Sequence, residues 1–200
     1  IDAAFLKHLL DASDRGASDL TVAGKLFCDR FPPDKIPALP TCGIFLRREF
    51  PLKNNLEFPE GIHPCEDGLF SHFVLALTEK ISFCPEAVYH YRQHEQGNHH
   101  QIRKRTADIL PMIPRWLSLI EEFYEQRHLW KRKAGHLVRF IEHEPFELRL
   151  LGMPFSPPEQ EILYSIIRDF LNAHCTAAEC RRASLHLPFR LLLKSSGFSD

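Results

Sequence analysis

No stretch of the sequence stays apolar for the roughly 20 residues that a helix needs to cross a bilayer. The first residues, Ile1-Asp-Ala-Ala-Phe5, lack the basic start and the small-residue cleavage site of a signal peptide. They also lack an initiator Met, which reads as a start inside a longer gene product. Neither sign of charge dominates, since 25 Lys and Arg stand against 26 Asp and Glu. That balance argues against a nucleic-acid partner held by phosphate neutralisation, and it weakens the case for a strongly basic membrane-surface patch. Six cysteines lie at 28, 42, 65, 84, 175 and 180, yet none form a Cys-x-x-Cys pair and their spacings fit no zinc module. They read as reduced thiols of a cytoplasmic protein, with a secreted disulfide framework as the minor alternative. A Gly-rich phosphate loop, an internal repeat and a low-complexity tract are all missing as well.

What is present suits one domain, or one domain and an appendage, because 44% of the 200 residues are hydrophobic. Phe5, Leu6, Leu9 and Leu10 fall on one face of a helix over 2–12 that Asp2 can cap. Residues 20–27 read as a strand of mixed apolar character. Four prolines between 30 and 41 make that stretch a loop. Residues 43–50 suit a short helix. A strong helical pattern, Leu69, Phe70, Phe73, Val74 and Leu77, opens at Glu66 and Asp67. Residues 81–92 read as extended, interrupted at Pro85, with 88–92 the cleanest strand. Beyond about residue 100 the spacing turns helical: one or two helices over 102–130, others over 132–143 and 158–174, and one over 177–194 interrupted at Pro188. The expectation is an α/β layer over 1–100 and an all-α region over 101–200.

The most informative stretch is Phe58-Pro-Glu-Gly-Ile-His-Pro-Cys-Glu-Asp-Gly-Leu-Phe70. It places two adjacent carboxylates after a turn and in the first turn of an apolar helix. Helix N-termini favour negative charge, and an ionised carboxylate there can take a proton from an attacking sugar hydroxyl. Simple capping accounts for most isolated Glu-Asp pairs at a helix start. Here the flanking pieces shift the weight: Leu46-Arg-Arg-Glu-Phe, Asn55-Leu-Glu-Phe-Pro-Glu-Gly-Ile, Glu-Asp-Gly-Leu-Phe and Tyr89-His-Tyr-Arg92 follow in that order.

Their order and spacing over residues 1–100 resemble the C-terminal half of the catalytic domain of family-2 bacterial glycosyltransferases. Those are GT-A-fold enzymes that build surface polysaccharides from nucleotide sugars. The resemblance implies a partial GT-A-like layer with its N-terminal half missing. It assigns Asp67 as the base that deprotonates the acceptor hydroxyl, with Glu66 as its neighbour. The Tyr-His-Tyr-Arg run would put His90 and Arg92 on one strand face, toward the donor diphosphate, where a cation stabilises the leaving group. His94 stands where the family has a second basic residue, while the Ser that usually follows is absent. The family's nucleotide-binding units and its metal-binding Asp-x-Asp lie upstream of the matched part. A divalent metal, Mn or Mg, is therefore expected for the full-length enzyme, and none for this chain alone.

His90, His94, His99 and His100 cluster in sequence, but no Cys or carboxylate set completes a metal geometry, so they read as a solvated turn. Arg103-Lys-Arg105, Arg127 and Lys131-Arg-Lys133 read first as the wet faces of amphipathic helices. Their functional alternative is peripheral contact with an anionic membrane, where lipid-linked acceptors reside. The leading expectation is thus a fragment of an inverting hexosyltransferase, cytoplasmic or at the inner face of the membrane. It would take a nucleotide-sugar donor and a glycan or lipid-linked acceptor. The alternative is a non-enzymatic helical interaction module with a small α/β part. A nucleotidyltransferase lacks support without a phosphate loop.

Overall fold

The structure is a computed structural model, and it describes residues 1–90, 102 and 104–195. The chain forms two compact units, 1–61 with 66–93, and 62–65 with 94–200. The first is mixed α/β with a small three-stranded sheet. All elements described in the second are helical.

In the first unit, α1 (Phe5–Gly16) leads through a left-handed Ala17 into β1 (Leu20–Ala23). The strand is buried along its whole length and lies in the middle of the sheet. On one side it pairs antiparallel with β2 (Ile44–Leu46), Thr21 opposite Phe45. On the other it pairs parallel with β3 (Ile81–Cys84), Val22 opposite Phe83. Leu9 and Ala12 of α1 share a core with Ala23, Cys84 and Ala87, and Phe5 and Phe45 pack against it. Gly16 closes α1 against β3, where an added Cβ would require the Ser82 hydroxyl to rotate away.

Several expected elements move. Asp2 does not cap α1; its carbonyl accepts from Phe5 N, while its carboxylate turns to His90. The strand expected over 20–27 stops at Ala23. Gly24 has a φ of 81°, turns the chain, and its carbonyl accepts from Phe27 and Cys28 at the head of α2 (Lys25–Arg30). The helix expected over 43–50 is replaced by β2 followed by α3 (Glu49–Lys53), because Ile44, Phe45 and Leu46 complete the ladder beside β1. Of the expected 81–92 the ladder strand is Ile81–Cys84 and not 88–92: residues 87–90 have no regular structure, and 91–92 lie outside the described residues. Pro85 lacks an N–H for a ladder and stands where that strand ends.

The helix that carries the carboxylates, α4 (Glu66–Leu77), lies where the apolar spacing places it. Its burial is broader than one face: Gly68 to Ala76 are all buried, Ser71 and His72 among them. Such a helix needs polar partners inside the protein, and it has them. Ser71 Oγ accepts from Leu39 N at 2.8 Å and donates to Gly68 O at 3.1 Å. His72 Nδ1 lies 3.1 Å from Pro37 O.

The second unit begins with the short α5 (Thr106–Ile109), a 3-10 turn and α6 (Ile113–Gln126). Next comes α7 (Trp130–Ile141), which passes directly into a π-helix, Glu142–Leu151, with Pro145 inside it. After these, α8 (Pro157–His174) and α9 (Ala177–Ala183) each open on a capping box, Ser156 with Glu159 and Thr176 with Glu179. The final helix, α10 (Leu187–Ser195), has Pro188 in its first turn. The break expected at Pro188 thus falls earlier, at 184–186, because proline is compatible with a helix start. Trp116, Tyr124, Phe140 and Phe189 are the largest fully buried side chains of this unit. Among the described residues no helix is long and apolar enough to cross a membrane.

Candidate functional site

Glu66 and Asp67 occupy the first turn of α4 and are partly exposed. Directly before them Cys65 is buried at a φ of 86°. A non-glycine residue in that region carries backbone strain of about 1–3 kcal/mol, which persists only where surrounding structure enforces it. Directly after them everything to Ala76 is buried, and the bonds from Ser71 and His72 tie the helix to the 37–39 segment. The two carboxylates thus stand at the accessible end of an otherwise immobilised rod.

Asp67 Oδ1 accepts the Gly68 amide at 2.8 Å, so one carboxylate oxygen is engaged with the helix start. Cys42 lies within its electrostatic reach: burial pushes the Cys42 thiol up, and the Asp67 charge pushes the same way. Both effects favour the protonated thiol. On the same side of the helix, Phe70 stacks against Phe58 with ring centroids 4.1 Å apart and planes 13° from parallel. Phe70 is buried, whereas Phe58 is 47% exposed. Phe70 follows Asp67 by three residues and Glu66 by four, the spacing of helical neighbours. A flat aromatic surface is thereby presented about one turn from both carboxylates.

The other expected site residues are distributed differently. His90 lies 2.8 Å from Asp2 Oδ1, and this exposed pair joins the start of the chain to the segment after β3. Among the described residues that is its one ion pair, so His90 is not bonded to the Glu66–Asp67 pair. It also lies on irregular chain rather than on a strand face. Arg92 and His94 lie outside the described residues, as do His99, His100 and Arg103. Cys42, within electrostatic reach of Asp67, and the buried anchors Ser71 and His72 are placements that the sequence reading did not single out. For Ser71 and His72 a signal existed, two polar residues inside an apolar helical run. For Cys42, 25 residues upstream of Asp67 with β2 and α3 between them, there was none.

The described residues hold no group of three or more His, Cys, Asp or Glu able to bind a metal ion. All six cysteines are free thiols. Compared with known proteins, the chain matches no family model, no curated sequence and no solved structure.

Proposed function

We propose that this chain is the C-terminal part of a GT-A-type glycosyltransferase, with Asp67 as the base for the acceptor. The observation that carries the reading is a carboxylate pair at the accessible end of a rigidly buried helix, with the Phe58 ring beside it. A pyranose has an apolar face suited to an aromatic ring, and its hydroxyls donate to carboxylates. With the sugar ring on Phe58, a hydroxyl can reach Asp67. Its proton passes to a carboxylate oxygen as the hydroxyl oxygen forms a bond to the anomeric carbon of the donor. The bond from that carbon to the diphosphate breaks, the nucleoside diphosphate leaves with the electron pair, and the configuration inverts. Glu66 adds a second acceptor for hydroxyls.

The small sheet supports reading the first unit as part of a larger layer. Among the described residues β2 and β3 each have one unpaired edge, and short sheets with open edges gain by pairing further. The donor site and any metal then belong to chain that precedes this segment, and His90 with Arg92 and His94 remains the proposed contact to the donor diphosphate. The basic residues Lys131 and Arg132, exposed in the first turn of α7, fit peripheral contact with anionic lipid at the inner face of the membrane.

One observation favours a second reading. Asp67 already accepts the Gly68 amide, so the pair also suits a purely structural cap in a non-enzymatic helical module. Extending the chain with the residues encoded directly upstream decides between them. The extended protein should transfer sugar from a uridine- or guanosine-diphosphate donor in the presence of manganese, and the segment 1–200 alone should bind such donors no tighter than millimolar. Sub-millimolar donor binding by the segment alone, or an upstream sequence without strand-helix units, would contradict the glycosyltransferase reading.

A further inference from the structure

Within the second unit an open groove of about 280 Å³ is lined by α6 and α8. Leu117 from α6 and Ile166 and Phe170 from α8 make it apolar, and Ser118, Glu121 and His174 bring its polar atoms. Leu117 with Glu121, and Ile166 with Phe170 and His174, each recur at four-residue spacing, so Glu121 and His174 lie on the groove face C-terminal to the apolar positions of their helices. There His174 Nε2 lies 3.5 Å from Glu121 Oε1. The imidazole is held from two sides. It stacks on Trp130 with centroids 4.2 Å apart and planes 6° from parallel, and Phe170 meets it at 4.7 Å and 52°. Trp130 is in turn fixed by its indole N–H, which donates to Glu125 Oε2 at 2.7 Å.

The charges at this end do not balance. The His174 side chain is only 17% exposed, while that of Glu121 is 55% exposed. Burial pulls His174 below the usual histidine range, although Glu121 and Glu125 pull the other way. Burial thus disfavours the charged imidazole, and no Lys or Arg lines the groove. An apolar trough therefore ends at an exposed carboxylate that no Lys or Arg of the lining neutralises and whose neighbour there is an imidazole that burial favours in its neutral form.

We propose that this groove binds an organic ammonium ion, the cation against Glu121 and its apolar or ring-shaped body along Leu117, Ile166 and Phe170. The ammonium donates to the Glu121 carboxylate and has the Ser118 hydroxyl within the same lining as a second acceptor. An anion of equal shape meets the Glu121 and Glu125 charges, and a neutral isostere forgoes the ion pair. His174 makes the site acid-sensitive. Once protonated, it competes for Glu121, so the ligand is released as pH falls through the lowered His174 value.

The test is an NMR titration of the whole chain at pH 7.5 with phenethylammonium, 2-phenylethanol and phenylacetate. Phenethylammonium should bind in the millimolar range and shift the resonances of Leu117, Glu121, Ile166, Phe170 and His174. It should bind about fivefold more tightly than the alcohol, the upper range for an exposed ion pair, and phenylacetate should be weakest. Glu121→Gln, a substitution at an exposed side chain, should bring the amine down to the level of the alcohol. His174→Gln should flatten the loss of amine binding below about pH 6.5, the ordinary histidine value. Equal binding of all three compounds, shifts elsewhere in the chain, or an amine affinity unchanged in Glu121→Gln would each overturn the proposal. So would shifts at these positions that follow protein concentration instead of amine, since they would mark self-association.

Discussion

Replacing Glu142 offers a stringent test of how the second unit holds together. Glu142 is 2% exposed at the junction of α7 and the π-helix. Its two carboxylate oxygens accept from Leu185 N at 3.0 and 2.9 Å and from His186 N at 2.8 Å, just ahead of α10. A carboxylate 43 residues upstream thus caps the final helix. In Glu142→Ala two part-buried amides lose a charged acceptor, a bond type worth about 1.5–3 kcal/mol. Relief from burying a charge offsets part of that, leaving a loss of about 3 kcal/mol. For a helical unit of this size each kcal/mol is worth roughly 4–8 °C, so its melting transition should fall by about 12–24 °C. Burial raises the Glu142 carboxyl above 4.5, with the two amide bonds opposing the shift. A raised acid binds its proton more tightly folded than unfolded. Its contribution is therefore fully present below about pH 4.5 and is lost as pH rises through the folded value. Glu142→Gln keeps one acceptor and stays neutral, so it should cost less than Ala and should remove this downward slope. Circular dichroism melts across pH 4–8 read both effects, and hydrogen exchange at Leu185 and His186 localises them. A loss below about 1 kcal/mol in Glu142→Ala would refute the capping role, and an unchanged slope in Glu142→Gln would refute the raised Glu142 carboxyl.

Two further substitutions probe the first unit. Ser71→Ala removes the acceptor for the buried Leu39 amide and should destabilise by about 1–3 kcal/mol in a denaturant titration; no measurable loss would mean that the 37–39 segment is not anchored through Ser71. In the upstream-extended enzyme, Phe58→Ala should raise the acceptor KM by about two- to tenfold, the scale of a lost aromatic contact of about 0.5–1.5 kcal/mol. Little stability should be lost, since the ring is half exposed, and an unchanged KM would remove Phe58 from the acceptor surface.

How far the sequence discloses this molecule differs from element to element. The α4 helix is legible because its apolar residues are dense and Glu66 and Asp67 mark its start. The α8 helix is legible because Ser156, Pro157 and Glu159 together form a start signal. The strands are legible only in part, β1 inside the expected 20–27 and β3 inside the expected 81–92 but β2 not at all, for a shared reason: each has only three or four residues, too few to show alternation. Ile44, Phe45 and Leu46 look as helical as extended until β1 lies beside them. Val88 and Tyr89 carry strand propensity, yet Ile81–Cys84 takes the ladder because it matches β1 residue for residue. Propensity yields here to tertiary pairing. At the site, the carboxylate pair and Phe58 lie within one readable stretch. The Cys42 neighbour, the Ser71 and His72 anchors and the Asp2–His90 pair depend on chain returning from elsewhere, which no local pattern encodes. The π-helix over Glu142–Leu151 likewise has no periodic signature apart from Pro145.

The most direct measurement on the central claim is turnover of Asp67→Asn in the upstream-extended protein. The amide keeps the size of the side chain and an oxygen for the Gly68 N–H, but it cannot take a proton from an attacking hydroxyl. Turnover should fall by about 100-fold or more, the scale of losing a general base, while the melting temperature stays close to that of the parent. Near-normal turnover would place the base elsewhere, and a protein that unfolds instead would leave Asp67 as a helix cap and no more.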